Sequence, residues 1–118
     1  MTFDSASWGY MPCAAQDSWN PRQILKMLNT AAGGGGNLLL NIGPKADGSV
    51  PDAAVAPLTT VGTWLAKNGE AAYGTLDRAS IRGCTATGGF SRRGTTAYLW
   101  ARHWPGVDFA LGGFKTKL

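Results

Sequence analysis

Hydrophobic side chains recur at helical spacing in two stretches of this chain. The first stretch follows Pro21, and its apolar positions are Ile24, Leu25, Leu28, Ala31 and Ala32. Ser18 or Asn20 can cap this helix, because either side chain can accept a hydrogen bond from the backbone of the first turn. Proline is favoured at the first helical position and glycine ends helices, so the pattern predicts a helix from Pro21 to the glycines at 33–36.

The second helical stretch begins at Pro51 and ends at Asn68-Gly69. One face carries its apolar positions, which are Val55, Leu58, Val61, Gly62 and Leu65. Just before this stretch, Asp47-Gly48 predicts a tight turn. The two predicted helices are therefore joined by a segment of about twenty residues that has its own structure.

A short apolar run at 38–42 lies between the two predicted helices and is interrupted only by Asn41. A near-continuous run of this length predicts a strand that is buried on both faces, as in a parallel sheet. Gly43-Pro44 ends the strand, because proline cannot donate to a β-ladder. The resulting order of helix, strand and helix is typical of an α/β fold.

Apolar and polar residues alternate after residue 75, as they do in strands. The segments 95–100 and 107–111 show this alternation, and turn signals at Arg92-Arg93-Gly94 and Pro105-Gly106 separate them. We therefore predict an α/β segment over residues 1–75 and an antiparallel β segment over residues 76–118. The predicted fold class is mixed α and β.

The composition is that of a small globular protein of 118 residues, with 44% hydrophobic and 15% charged residues. No apolar run approaches the roughly 20 residues of a membrane helix, and the N-terminal residues show no signal peptide. We therefore expect a soluble protein whose compartment is unknown. Cys13 and Cys84 are the only cysteines and have no CxxC spacing, so we expect no metal site and leave a disulfide open.

Positive charge is concentrated in the second half of the chain. Residues 76–118 hold seven Lys and Arg against two Asp, whereas residues 1–75 hold four Lys and Arg against five Asp and Glu. A basic tail can bind nucleic acid. Here the basic residues are dispersed through the predicted strands, which favours a solvated sheet face, and nucleic-acid binding remains the weaker alternative.

Four blocks of sequence carry a family resemblance. They are SWGY at 7–10, GGNLLLNIGPKADGSVP at 35–51, GTWLAKNGEAAYGT at 62–75 and TAYLWARHWPG at 96–106. In this order and spacing the blocks resemble the α-L-fucosidases of glycoside hydrolase family 29. The resemblance implies that residues 1–75 are the last units of a catalytic (β/α) barrel, and that residues 76–118 are part of a β-sandwich.

The resemblance also implies a reaction, which is retaining hydrolysis of terminal α-L-fucose from fucosylated glycans or aryl fucosides. Two carboxyl groups perform such a reaction: one attacks the anomeric carbon, and the other protonates the leaving oxygen and then activates water. No metal or organic cofactor is implied. Active sites of such barrels lie at the C-terminal ends of the strands, which places residues 2–10 and 41–44 on the active-site face.

The catalytic carboxylates are where this chain departs from the family pattern. It implies that the family's usual nucleophile Asp and acid/base Glu precede Met1, so whether this chain is an active enzyme stays open. Asp4, beside the SWGY block, is the candidate catalytic residue, with Glu70 as the second candidate. Asp4 bonded to nearby backbone and Glu70 capping a helix are the structural alternatives. The single His103 has no partner nucleophile, which favours a structural role.

Aromatic and amide side chains on the same predicted face are the candidates for substrate binding. Trp8 and Tyr10 can stack on a sugar ring, and Asn41 can hydrogen-bond its hydroxyl groups. The alternative for Asn41 is an internal hydrogen bond at the end of a buried strand.

Two further expectations concern partners. A partial barrel would leave the strand at 38–42 uncovered and its edge unpaired, so we expect a homo-oligomer that covers these surfaces. The alternative to an enzyme is an inactive fucosidase fragment or a fucose-binding or glycan-binding module, in which Trp8, Tyr10 and Trp104 supply the stacking surfaces.

Overall fold

The computed structural model describes residues 7–12, 20–74, 76–77, 88–104 and 106–108. The described part of the chain holds two α-helices, a 3₁₀ turn and a two-stranded antiparallel sheet. In chain order these are α1 (Pro21–Gly33), α2 (Asp52–Asn68), the 3₁₀ turn (Gly69–Ala71), β1 (Gly88–Arg93) and β2 (Thr96–Ala101). The fold class is therefore mixed α and β, as predicted.

Residue contacts group the chain into two units. Unit 1 comprises Met1–Met27 and Leu38–Gly69, and unit 2 comprises Leu28–Asn37 and Glu70–Leu118. Helix α1 begins in unit 1, and its last residues belong to unit 2. The units are therefore interleaved along the chain.

The start of α1 is fixed by a reciprocal pair of hydrogen bonds. The Gln23 backbone N–H donates to Asn20 Oδ1 at 3.0 Å, and the Asn20 backbone N–H donates to Gln23 Oε1 at 2.9 Å. This arrangement is a capping box, and Pro21 occupies the first helical position, where its missing N–H costs nothing. The predicted start of the helix is confirmed, with Asn20 as its cap. At the other end, Gly35 has φ +69°, which lets the chain leave the helix.

The core of unit 1 lies between α1 and α2. Ile24, Ala54 and Val61 are buried there, and the partly buried side chains packed against them are Leu25, Met27, Leu40, Ile42, Leu58 and Leu65. Val55 was expected on this face but is 47% exposed, and Gly62 is exposed too. These two assignments are wrong because the buried stripe runs through Ala54 and Val61, and the next residue along a helix points about 100° away.

The segment at 38–42 differs from the strand that its sequence predicts. It forms one isolated β-bridge, at Asn41, and within it Leu39 is 78% exposed while Leu40 and Ile42 pack on the core. The prediction of a strand buried on both faces is therefore wrong. Side chains of an extended segment alternate between faces, and within the described residues only the face of Leu40 and Ile42 is covered.

The end of α2 is at Asn68, as predicted, but Gly69 is not the residue that turns the chain. Gly69 keeps right-handed helical dihedral angles, and the chain continues into the 3₁₀ turn. Gly74 has φ +78°, the left-handed conformation that ends helical segments. The Arg93 guanidinium covers this end, because it donates to the carbonyl oxygen of Glu70 at 3.1 Å and to that of Tyr73.

Strands β1 and β2 form a hairpin in unit 2. Arg93 pairs with Thr96, so the turn consists of Gly94 and Thr95, and Gly94 has φ +55° as the first residue of a type II′ turn requires. The turn predicted at 92–94 is therefore shifted toward the C-terminus, and β1 was not predicted. Val107 and Asp108 lie outside any strand, and the rest of the predicted strand at 107–111 is outside the described residues, as are Cys13 and Cys84.

A buried hydroxyl joins the hairpin to the 3₁₀ turn. Ser91 has no exposed surface, and its Oγ donates to the Ala71 carbonyl at 2.7 Å. The same Oγ accepts the indole N–H of Trp100 at 2.8 Å. Its partners Trp100 and Ala71 are themselves buried, so one serine satisfies two buried polar groups.

Candidate active site

Two sequence blocks that are 33 positions apart meet in unit 1. The Asn41 side-chain amide donates to the Trp8 carbonyl oxygen at 2.8 Å. Two residues later, Gly43 lies directly against the backbone of Gly9 and Tyr10. A Cβ atom on Gly43 would lie 2.7 Å from the Gly9 oxygen and would overlap the backbone atoms between Gly9 and Tyr10. The loop at 7–12 and the segment at 41–44 therefore form one surface.

The amide of Asn41 is engaged within the chain. Its Nδ2 holds the Trp8 backbone, which matches the internal hydrogen bond that was the alternative for this residue. Asn41 therefore fixes the position of the loop, and its expected contact with substrate stays a prediction. Gly43, which the sequence marked only as a strand end, proves to be needed for the close approach of the two backbones.

Two aromatic rings of this surface face solvent. Trp8 is 69% exposed and Tyr10 is 43% exposed. The Ser7 hydroxyl accepts the Gly9 N–H at 3.1 Å, which fixes the turn between the two rings. Exposed rings next to polar groups can stack on the apolar face of a sugar while the polar groups bind its hydroxyls.

Of the two candidate catalytic carboxylates, Glu70 lies among the described residues and Asp4 does not. Asp4 lies outside the described residues. Glu70 lies in the 3₁₀ turn and belongs to unit 2, whereas Trp8, Tyr10 and Asn41 belong to unit 1. Among the described residues, the backbone carbonyl of Glu70 accepts a hydrogen bond from the Arg93 guanidinium, and Glu70 is exposed. The described contacts of Glu70 are therefore those of a residue at a helix end.

The Asp47-Gly48 turn follows the candidate site along the chain, as predicted. Gly48 has φ +82°, and its N–H donates to the Lys45 carbonyl at 2.8 Å. Asp47 Oδ1 accepts from the Ser49 hydroxyl at 2.7 Å and from the Ser49 N–H at 2.9 Å. These bonds lower the pKa of Asp47 below its ordinary value of 3.8, the hydroxyl contributing most.

Replacing Ser49 with alanine is expected to raise the pKa of Asp47 toward 3.8, because the larger of the two hydrogen bonds is lost. Because the pKa of Asp47 is lower in the folded chain than its ordinary value of 3.8, the ionised carboxylate stabilises the turn when the pH is above 3.8. This stabilisation is lost as the pH falls through the lowered pKa. An NMR titration of the Asp47 carboxyl measures the change. An unchanged pKa in Ser49→Ala would contradict the assignment.

Neither a metal centre nor a membrane helix is found in the part of the chain that the structure describes. Within those residues no three His, Cys, Asp or Glu side chains lie close enough together to hold a metal ion. No helix there is long and apolar enough to span a bilayer.

Known proteins match this chain closely. A family model for alpha-L-fucosidases matches residues 1–70. The tissue alpha-L-fucosidase of Homo sapiens is 35% identical over 106 residues, and the match covers 88% of this chain and 23% of that protein. The plasma alpha-L-fucosidase of Rattus norvegicus is 45% identical over 76 residues, which are 64% of this chain and 17% of that protein.

A solved structure matches as well. The alpha-fucosidase of Thermotoga maritima in complex with fucose has 34% sequence identity and a TM-score of 0.68, covering 79% of this chain and 23% of that chain. This chain thus spans less than a quarter of each of these three proteins. Because the family model covers more than half of the chain and the human relative covers most of it, the chain belongs to the alpha-L-fucosidase family.

Proposed function

We propose that this chain acts as a small α-L-fucosidase-like glycoside hydrolase on terminal α-L-fucose of glycans or aryl fucosides. The observation that carries the proposal is the contact of Asn41 and Gly43 with the backbone of residues 8–10. Both blocks lie within the part of the chain that the family model matches. The contact supports a role for these blocks as one sugar-binding surface, with Trp8 and Tyr10 as its stacking rings.

The proposed reaction is retaining hydrolysis through two carboxyl groups. Such groups lie roughly 5 Å apart, one as the nucleophile and the other as the acid/base. Asp4 is the proposed catalytic carboxyl of this chain, and Glu70 is the weaker candidate because its contacts are those of a helix end. Fucose is the proposed substrate group, which is consistent with the fucose bound by the Thermotoga maritima relative.

We further propose that residues 1–75 are the last units of a (β/α) barrel and that residues 76–118 are part of a β-sandwich. Helix α1, the extended segment at 38–42 and α2 are consistent with barrel units, and the hairpin is consistent with a sandwich. The likeness to a bacterial fucosidase solved with an iminocyclitol inhibitor, with a TM-score of 0.80 over 90% of this chain, supports the assignment.

A homo-oligomer is part of the proposal, because unit 1 exposes large apolar side chains. Leu39 is 78% exposed, Val55 is 47% exposed and Val50 is 39% exposed. Association of copies would cover such side chains and could bring carboxylates of two copies together. Light scattering coupled to size-exclusion chromatography is expected to give a mass of at least twice the 12.4 kDa of one chain. A stable, well-folded monomer would contradict this part of the proposal.

Hydrolysis of p-nitrophenyl α-L-fucoside tests the enzymatic function. The wild-type chain is expected to release p-nitrophenol and to yield first the fucose anomer with retained configuration, which NMR detects. Asp4→Asn is expected to lose this activity, whereas the control Asp52→Asn is expected to keep it, because the Asp52 side chain is exposed and pairs only weakly with Lys45. Equal activity of the two variants would remove the assignment of Asp4.

A glycan-binding module without catalysis is the second candidate. The exposure of Trp8 and Tyr10 favours it, because binding needs the aromatic surface but no carboxyl pair. In this case the wild type and Asp4→Asn would both be inactive, and calorimetry would still detect binding of L-fucose by both. The same two measurements therefore separate the enzyme from the module.

A further inference from the structure

We propose that the outer edge of β2 pairs with the same edge of a second copy of this chain, so that two hairpins form one antiparallel sheet. The outer edge of β1 is occupied at Arg92, whose carbonyl accepts the Asp77 N–H at 2.8 Å in an isolated β-bridge. Among the residues that the structure describes, no strand pairs with the outer edge of β2. β2 therefore has one edge left for a further strand.

The turn of the hairpin fixes which backbone groups of β2 lie on that edge. Arg93 and Thr96 flank the two-residue turn as a hydrogen-bonded pair, and such pairs alternate with non-hydrogen-bonded pairs along the ladder. Arg92 belongs to a non-hydrogen-bonded pair, and its bond with Asp77 agrees with this alternation, because the backbone of such a residue faces outward. On β2 the outward N–H and C=O groups are those of Ala97, Leu99 and Ala101.

The sequence of β2 carries none of the features that protect an exposed edge. The strand Thr96–Ala101 reads TAYLWA and holds no charged residue and no proline. Its register with β1 is continuous over all six residues, so no bulge interrupts it. Natural proteins protect edge strands with charges, proline, bulges or covering segments, and an uncharged edge rich in aromatic and aliphatic residues pairs with other strands.

A second copy of β2 fits this edge because the strand is self-complementary. In an antiparallel pair centred on Leu99, each Leu99 faces its counterpart, and each Ala97 faces Ala101 of the other copy. Each facing pair exchanges two backbone hydrogen bonds, and small side chains flank the leucine pair. Arg102 then faces Thr96 of the other copy, whereas centring on Ala101 would bring the two Arg102 side chains within reach of each other. Charge therefore favours the twofold pair centred on Leu99.

This surface is distinct from the exposed apolar side chains of unit 1 on which the proposed homo-oligomer rests. Both strands of the hairpin belong to unit 2, and neither a catalytic carboxyl nor a sugar takes part in the pairing. Failure of hydrolysis, or of association through unit 1, would therefore leave pairing at β2 standing. Loss of pairing at β2 would likewise leave the proposed function standing.

Hydrogen exchange of the ¹⁵N-labelled 118-residue chain, followed by NMR at several protein concentrations, tests the proposal. The outward amides of Ala97, Leu99 and Ala101 are expected to exchange about tenfold more slowly where about nine-tenths of the chains are paired, because only the pair protects them. The amides of Tyr98 and Trp100 bond to β1, so their exchange is expected to depend much less on concentration.

Substitutions on the edge test the pairing and its register. Ala97→Pro removes one outward N–H and leaves the bonds to β1 in place, so it is expected to abolish the concentration dependence. Ala97→Glu/Ala101→Glu places like charges opposite each other and is expected to weaken the pair about tenfold, the equivalent of about 1.4 kcal/mol. The matched control, Ala97→Glu/Ala101→Lys, places opposite charges there and is expected to restore it. Both positions are exposed, so thermal unfolding of dilute samples is expected to match wild type.

Three results overturn the proposal. Outward amides that exchange at one rate at every concentration show, if fast, that the edge stays open and, if slow, that it is covered within one chain. A dimer detected by light scattering without protection of these amides assigns association to another surface. Equal pairing of the two charge variants contradicts the register centred on Leu99.

Discussion

Gly43→Ala is expected to destabilise unit 1 by about 1–3 kcal/mol and to displace the loop at 7–12. The cause is steric, because the new methyl group would overlap the backbone between Gly9 and Tyr10, which cannot move aside as a flexible side chain can. Backbone conformation is not the cause, because Gly43 is not among the described glycines with positive φ. Urea denaturation of wild type and variant measures the free energy of unfolding.

Gly62→Ala is the matched control for this substitution. Gly62 is an exposed position of α2, and a Cβ atom there would meet nothing within 4 Å. Alanine is the better helix former by about 1 kcal/mol, so Gly62→Ala is expected to be neutral or stabilising. If Gly43→Ala also unfolds at the wild-type urea concentration, the contact between the two sequence blocks is absent in solution.

Ser91→Ala is expected to destabilise the chain by about 2–4 kcal/mol, because two buried groups lose the same partner. The Ala71 carbonyl loses its donor, and the Trp100 indole N–H loses its acceptor, in surroundings with almost no access to water. Each lost bond costs about 1–3 kcal/mol in such a place. Thermal and urea unfolding of the variant measure the effect.

A second substitution isolates the bond between the two side chains. Trp100→Phe removes the indole N–H, so Ser91→Ala in that background is expected to cost less than in the wild type, with a coupling energy of about 1 kcal/mol. Thr60→Val is the control, because the exposed Thr60 hydroxyl bonds only to the Ala56 carbonyl of its own helix. We expect Thr60→Val to stay within about 0.5 kcal/mol of wild type. An equally small effect of Ser91→Ala would contradict the role of this hydroxyl.

The helices could be predicted from the sequence because the signals that start and end them are local. Asn20, Pro21 and Gln23 form the start of α1 from neighbouring positions, and glycines follow its end. It was harder to predict which residues of α2 form its buried face. Ala54 and Val55 are both apolar, and only the packing against Ile24 decides which of them is buried.

Strands were predicted less well, because they depend on residues elsewhere in the chain. β1 begins with Gly88-Gly89, which sequence rules assign to turns. Gly88 has a tertiary reason, since a Cβ atom there would overlap the backbone carbonyl of Trp100 in β2. Similarly, the leucines at 38–40 look buried in the sequence, and only the structure shows that Leu39 faces solvent.

The residues of the candidate site were predicted from the sequence, but the contacts between them were not. Trp8, Tyr10 and Asn41 were chosen from a family resemblance, and the resemblance to fucosidases is confirmed by the relatives. The bond from Asn41 to the Trp8 carbonyl and the close approach at Gly43 join residues distant in sequence, and no local pattern encodes them. Their roles toward a sugar, and that of Asp4, remain predictions.

The central claim is that the loop at 7–12 and the segment at 41–44 form one sugar-binding surface. Titration of the ¹⁵N-labelled chain with L-fucose, followed by NMR, tests it most directly. We expect the indole N–H signal of Trp8 and the amide signal of Gly43 to shift together with one dissociation constant, and the shifts to be lost in Gly43→Ala but kept in Gly62→Ala. If neither signal responds to L-fucose, or if Gly43→Ala binds it as wild type does, the claim is contradicted.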